Sequence, residues 1–260
     1  MLDFIFVISI WVVLVVVGLG VRKPNRSVLL KRAALLGLVL APLTLGAAWK
    51  LINSRTFQLS GEIVSRVDTA EKVVALTFDD GPTAAYTSQV LEILRRSHTK
   101  ATFFVTGREL EENPAAGKQI VTEGHQLGNH SYSHERMVGK SYQFVRSELE
   151  RTDALIKATC YQGAIHFRPP FGKKLLVLPL ALSQRGQKTI TWDVEPDSSP
   201  QSASMIVAKT LKRVRPGSII LLHAMVSSRA TSREAVPKII RILKEQGYRF
   251  VTVSELLETK

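Results

Sequence analysis

KVVALTFDDGP, residues 72–82, reads as a buried strand that ends in a turn. Residues 72–78 form an apolar, β-branched run of strand length. Asp79 and Asp80 follow at its C-terminal end, and Gly81-Pro82 turns the chain. Successive side chains of an extended segment point to opposite sides, so this spacing predicts two carboxylates doing different jobs. A plain Asp-Gly turn with a solvated neighbour is the simpler explanation of the same residues.

Outward from this strand, helical and extended patterns alternate. Residues 86–96 have helical spacing at Val90, Leu91, Ile93 and Leu94. Residues 101–106 (ATFFVT) read as a strand, 109–123 as a polar helix and 143–158 as a helix with Phe144, Leu149 and Ile156 on its apolar side. Strands at 188–194, 218–222 and 249–253 then alternate with helices at 202–213 and 233–245. This order implies an α/β fold with a parallel sheet covered on both faces. The pattern alone fits either a (β/α) barrel or an open doubly wound sheet. In a barrel the active groups sit at the C-terminal strand ends, where the candidate motifs fall.

The 260 residues are 45% hydrophobic, with 35 Lys+Arg against 22 Asp+Glu and a net charge of +13. Such a composition excludes a disordered chain, a collagen-like repeat and a disulfide-stapled miniprotein. The single cysteine, Cys160, forbids an intramolecular disulfide and leaves the compartment open. Apolar residues crowd into the first fifty positions. Residues 2–21 carry one charge, Asp3, and are long enough to span a bilayer as a helix. A second apolar segment, 28–49, holds Lys31 and Arg32 near its start and Pro42 within it. Residues 1–55 therefore read as a membrane anchor of one or two helices. Arg22, Lys23, Arg26, Lys31 and Arg32 lie between the two segments, and the positive-inside rule puts them in the cytoplasm. The domain at 60–260 is then outside. A signal sequence cleaved near Gly46-Ala47-Ala48 would export the same domain. Beyond residue 60 the excess persists, 28 basic residues against 21 acidic. Anionic partners or a merely solvated basic surface would account for it. No helix-turn-helix, zinc-finger or aromatic RNA-binding signature points to nucleic acid.

Three further segments carry chemistry. In GNHSYSH, residues 128–134, His130 and His134 stand four apart, so on a helical turn both imidazoles could face one ion. With a carboxylate from elsewhere they would make an open catalytic metal site. FRPPFG, residues 167–172, is a stiff loop that could hold Arg168 against a carboxylate. SIILLH, residues 218–223, ends an apolar strand on His223, a residue suited to acid or base work near neutral pH. His98, His125 and His166 have no such company and read as surface or core.

TFDDGP, HSYSH, RPPFG and ILLH, in this order and at these intervals, resemble the polysaccharide deacetylases of carbohydrate esterase family 4, the NodB-like domain. The resemblance covers about residues 70–256. It implies a distorted (β/α) barrel that removes acetyl groups from carbohydrate polymers with a divalent metal, most often zinc, with cobalt or nickel as alternatives. It also implies the roles. Asp79 would be the general base and Arg168 would hold it. Asp80, His130 and His134 would bind the metal, and His223 would be the general acid. Leu221 would line the acetyl pocket, and the backbone N–H of Phe171 would join the oxyanion site.

Two departures stand out. The family's fourth motif usually reads D-x-x-D-W, whereas this chain has WDVEPDSS at 192–199. In one register Glu195 takes the place of the carboxylate that orients the acid histidine, and Ser198-Ser199 replace the Asp-Trp pair. Asp193 or Asp197 could support His223 instead. Ala224 follows His223 where Asp is common. The expectation is a membrane-held hydrolase of N-acetylated envelope polysaccharide, peptidoglycan first. An O-acetyl esterase with the same machinery and a catalytically idle glycan-binding scaffold are the rivals.

Overall fold

The structure is a computed structural model and describes residues 26–259. The apolar segment 2–21, expected to cross a membrane, lies outside the described residues. The chain divides into two compact units, one ending at Leu51 and the other beginning at Ile52. Helix α1 (Arg26–Asn53) dominates the described part of the first unit. Its stretch Leu30–Asn53 reaches a mean hydropathy of 1.8, long and apolar enough to cross a membrane by length and composition. Pro42 is accommodated inside the helix.

The second unit is built on β2 (Val73–Asp79), which is buried along its whole length. Its period-two alternation serves two cores. Val74, Leu76 and Phe78 pack outward with Val90, Leu91 and Leu94 of α2 (Ala84–Arg96) and with residues of α7 (Ala203–Arg213) and α8 (Ala230–Glu245). Val73 and Ala75 face an inner cluster with Phe104, Ile190, Trp192, Ile219 and Leu221. Val253 and Leu256 of α9 (Val253–Leu257) join this cluster.

All ladders are parallel. Along one edge of β2, β6 (Ile219–Leu222) pairs with Ala75 to Phe78. Along the other, β7 (Arg249–Val251) pairs with Val73 to Ala75 and β3 (Thr102–Val105) with Thr77 to Asp79. β4 (Gln126–Asn129) follows on β3. Single bridges complete the ring: Phe167 pairs with Asn129 and with Thr189, and Val194 pairs with Ile220. Between these points β1 (Ile63–Val64) wedges beside β5 (Thr189–Ile190), and Arg66 bridges to Ser218. The result is a closed, distorted (β/α) barrel rather than an open doubly wound sheet.

Several elements differ from the sequence expectation for local reasons. The helix expected over 109–123 is two, α3 (Gly107–Glu112) and α4 (Pro114–Thr122). Asn113 between them has φ −128° and ψ 56°, because a residue before proline is pushed out of the helical region. The strand expected over 188–194 forms a ladder only at β5, since the β1 wedge spreads the wall there. No strand is expected from the sequence at β4, because three of its residues are polar or glycine. Each has a buried use: Gln126 Oε1 accepts from Thr102 Oγ1 at 2.9 Å, and a Cβ on Gly128 would lie 2.5 Å from the Phe104 ring. α5 (Tyr142–Ala158) matches its expectation, while α6 (Val177–Gln184) and the five-residue α9 are too short for the periodicity to reveal.

Gly217 makes the turn into β6 with φ 78°, and a Cβ there would lie 1.8 Å from the Val67 carbonyl oxygen. Gly186 has a similar φ of 63° and open space around it. Gly186→Ala is therefore expected to cost only the left-handed strain, about 1 kcal/mol. Gly217→Ala should cost at least about 2 kcal/mol, as backbone must move as well. Urea denaturation of the two variants checks this; equal midpoints would contradict the wedge geometry.

Candidate active site

Asp79, Asp80, His130, His134, Arg168, Asp197 and His223 gather at the C-terminal mouth of the barrel, whereas Asp193 and Glu195 do not. Asp79 is the last residue of β2 and continues the inward-facing set of Val73, Ala75 and Thr77. Asp80 does not point away from it, as strict alternation predicts. Its φ of 61° turns its carboxylate back over the mouth, a conformation that aspartate tolerates better than most residues. Asp79 Oδ2 and Asp80 Oδ1 consequently both lie 3.6 Å from His130 Nε2.

His130 and His134 are not on a helical turn. They lie on the loop after β4, with φ 65° at Ser131 and 57° at His134. Two anchors hold this loop. Asn129 Oδ1 accepts from the Ser131 N–H at 2.8 Å, and Glu148 Oε2 from α5 accepts from the Tyr132 and Ser133 N–H groups at 2.9 and 2.8 Å. The turn brings the two imidazole rings to 5.0 Å and sets His134 Nε2 3.1 Å from Asp80 Oδ1.

One ligand atom from each of Asp80, His130 and His134 lies within 4.8 Å of the others. Asp80 Oδ1 is buried and has no aligned hydrogen-bond donor. His130 Nδ1 lies 2.7 Å from the Arg168 carbonyl oxygen. A donor is needed there, so the Nδ1–H tautomer is fixed and Nε2 keeps its lone pair facing the cluster. This donor set fits a divalent cation that takes nitrogen and oxygen ligands, zinc foremost. Burial would raise the Asp80 carboxyl, but contact with His134 and the charges of His130 and His223 hold it well below the usual range. Burial pushes the His130 imidazole down despite Asp79 and Asp80. At His134 burial is outweighed by Asp80, and the imidazole is raised.

Arg168 is fully buried beside the Phe167 bridge. Its Nη1 donates to Asp79 Oδ1 at 2.7 Å and Thr77 Oγ1 at 2.8 Å, while Nε and Nη2 reach the carbonyls of Ile190 and Thr191 at 3.3 and 3.1 Å. Phe104 covers one face of the guanidinium at 4.0 Å. Phe171, with φ 58°, is half exposed, and its ring lies 4.8 Å from that of His134. Leu221 is buried in the inner cluster below the mouth.

His223 follows β6 directly. Asp197, not Glu195, holds it: Asp197 Oδ1 lies 3.1 Å from His223 Nδ1, and Oδ2 accepts from the His223 N–H at 2.9 Å and from Ser232 Oγ at 2.7 Å. Burial pushes the imidazole down, but the Asp197 hydrogen bond and charge, helped by Asp79 and Asp80, raise it to about 9. Glu195 is turned elsewhere. It accepts from Trp192 Nε1 at 2.9 Å and pairs with Arg55 at 2.8 Å, and the Arg55 guanidinium lies 4.6 Å over the Trp192 ring. The register that uses Asp197 is one of those the sequence leaves open, and it leaves Ser198 and Ser199 exposed. Asp193 caps β6 instead, accepting from the Ile219 N–H and Ser218 Oγ at 2.9 Å each. The roles of Asn129, Glu148 and Ser232 carry no sequence signal of their own.

An arginine-held carboxylate and a carboxylate-backed imidazole on either side of a three-donor cluster are the equipment of an amide hydrolase, and that is the class this barrel belongs to. The family model described as polysaccharide deacetylase matches residues 66–190. A Bacillus cereus peptidoglycan-N-acetylglucosamine deacetylase is 35% identical over 81% of this chain and 100% of its own length. The solved Bc1960 peptidoglycan N-acetylglucosamine deacetylase superposes with TM-score 0.72 at 32% identity, covering 75% of this chain and 92% of that one. A solved Bacillus anthracis pseudoenzyme of carbohydrate esterase family 4 superposes with TM-score 0.69 at 31% identity, covering 78% and 71%. The chain belongs to the polysaccharide deacetylases, carbohydrate esterase family 4.

The assignment of Asp197 is testable apart from activity. In metal-free protein the His223 imidazole should titrate near 9 by NMR. Asp197→Asn should move that midpoint to lower pH, because burial is then opposed only by the more distant Asp79 and Asp80. Glu195→Gln should leave it in place. The reverse pattern would return the role to Glu195.

Proposed function

We propose that this protein is a membrane-anchored, metal-dependent deacetylase that removes N-acetyl groups from an envelope glycan outside the cytoplasm, peptidoglycan first. The observation that carries this reading is the meeting of Asp79, Asp80, His130, His134 and His223 at one barrel mouth. The anchor at 1–55 rests on the apolar segments 2–21 and 28–49, and the orientation on the basic residues between them. The catalytic domain is 60–260.

Asp80, His130 and His134 would hold the metal, which when bound supplies Lewis acidity toward the acetyl carbonyl and makes water a better nucleophile. Arg168 fixes Asp79 Oδ1 and leaves Oδ2 toward the cluster, placed to accept the proton of the attacking water. The Phe171 N–H is the candidate backbone donor to the developing oxyanion. His223, protonated at neutral pH and oriented through Nδ1 by Asp197, gives a proton from its other ring nitrogen to the departing amine. The products are acetate and a free amino sugar. Leu221 lines the floor that would receive the acetyl methyl.

The test uses the full chain in lipid nanodiscs, since Asn53, Ser54 and Arg55 are hydrogen-bonded to the barrel. Acetate release from N-acetylglucosamine oligomers and from peptidoglycan should stop with chelator and return with zinc, cobalt or nickel. A folded, metal-loaded protein that releases none would favour the idle glycan-binding reading. Asp80→Ala and His134→Ala should each lose bound metal. Asp79→Asn should keep the metal and lower kcat about 10²- to 10⁴-fold, the usual contribution of a general base. His223→Ala should harm amide cleavage more than cleavage of an O-acetyl ester, whose leaving group needs less help. Equal losses would remove that distinction.

A further inference from the structure

The stretch that follows α1 does not hang free. Lys173 donates to Asn53 Oδ1 and Lys174 to the Ser54 carbonyl. Thr191 Oγ1 donates to the Arg55 carbonyl at 2.6 Å. A Cβ on Gly61 would lie 3.2 Å from the Ser183 side chain in α6. Residues 54–61 are thus tied to 174–183 at both ends, and the two segments run side by side.

Four large apolar side chains on these two segments stay in solvent. Phe57 is 53% exposed, Leu59 47%, Leu176 60% and Leu180 47%. Leu176 and Leu180 are one helical turn apart and share a face of α6. Scattered exposed leucines need no explanation, but a cluster of four does. Its position in the chain supplies one. Trp49, 67% exposed, and Lys50 stand in the last turns of α1, and tryptophan and lysine are the residues that mark a membrane–water interface. The cluster begins seven residues after Lys50, and the chain is pinned to Lys173 at Asn53, before it has left the helix end.

We propose that Phe57, Leu59, Leu176 and Leu180 form a lipid-docking face that enters the interfacial layer of the bilayer around the end of α1. The domain then rests on the membrane. This inference relies on the anchored reading above.

The experiment uses the full chain in vesicles of phosphatidylcholine and phosphatidylglycerol. A polarity-sensitive fluorophore on Leu180→Cys, in a Cys160→Ser background, reports on the face. The same fluorophore on native Cys160, exposed beyond the C-terminal end of α5, is the control. Spin-labelled lipid should quench the Leu180→Cys probe several-fold more than the Cys160 probe. Leu176→Cys gives a second reporter should Leu180→Cys fail to fold. Equal quenching in protein that floats with the vesicles would overturn the docking face and leave the anchor standing. Protein that does not float would overturn both. Energy transfer between labelled chains without lipid quenching would mean that a second copy covers the face, and would also overturn the proposal.

Discussion

A guanidinium with no access to water has to find its partners inside the protein, and that of Arg168 finds four. Its side chain joins β2, through Thr77 and Asp79, to β5 and the residue after it, through Ile190 and Thr191. Its own carbonyl receives His130 Nδ1. Arg168 therefore fixes the Asp79 carboxylate and the spacing of two barrel walls through its side chain, and the His130 tautomer through its carbonyl. Removing one partner of such a buried pair typically costs about 3–5 kcal/mol, because the other charge is left unpaired. The RPPFG segment is the stiff hinge that makes the arrangement possible, since its prolines fix the chain just after the arginine enters the barrel.

The backbone around the mouth stores strain in keeping with this. Of six non-glycine residues with positive φ among the described residues, four flank the site: Asp80, Ser131, His134 and Phe171. Such conformations persist where surrounding contacts over-determine them. Here the contacts are the Glu148 and Asn129 anchors on the histidine loop and the Arg168 network beneath Asp79. The mouth is thus assembled by forced turns on a relaxed barrel, and the barrel supplies the burial that stabilises them.

The sequence was legible where one residue type has one use. Thr77 to Pro82, the two histidines, Arg168 and His223 are chemistry-bearing residues at strand ends, and alternation placed those ends together. The strand and helix order followed from periodicity wherever an element was long and amphipathic. It failed at β4, where burial is achieved by polar partners and a glycine under Phe104, neither of which leaves an apolar pattern. It also failed on direction: local rules put Asp79 and Asp80 on opposite sides and the histidines on a helix, and left-handed residues did otherwise. The choice between Glu195 and Asp197 could not be made in one dimension. It depends on how far the segment after β5 travels before it meets β6, and the single Val194–Ile220 bridge sets that distance.

The tied-down strap has a consequence for where the enzyme can work. A flexible stalk of twenty residues would let a domain roam over about 25 Å from its anchor. Here the chain is bound to the barrel from Asn53 onward, so the stalk has no free length. On the proposed anchoring, the chain between membrane and barrel would therefore add almost no reach. Under that proposal glycan would be deacetylated only while still close to the membrane, and the degree of deacetylation would record the time that each strand spends there.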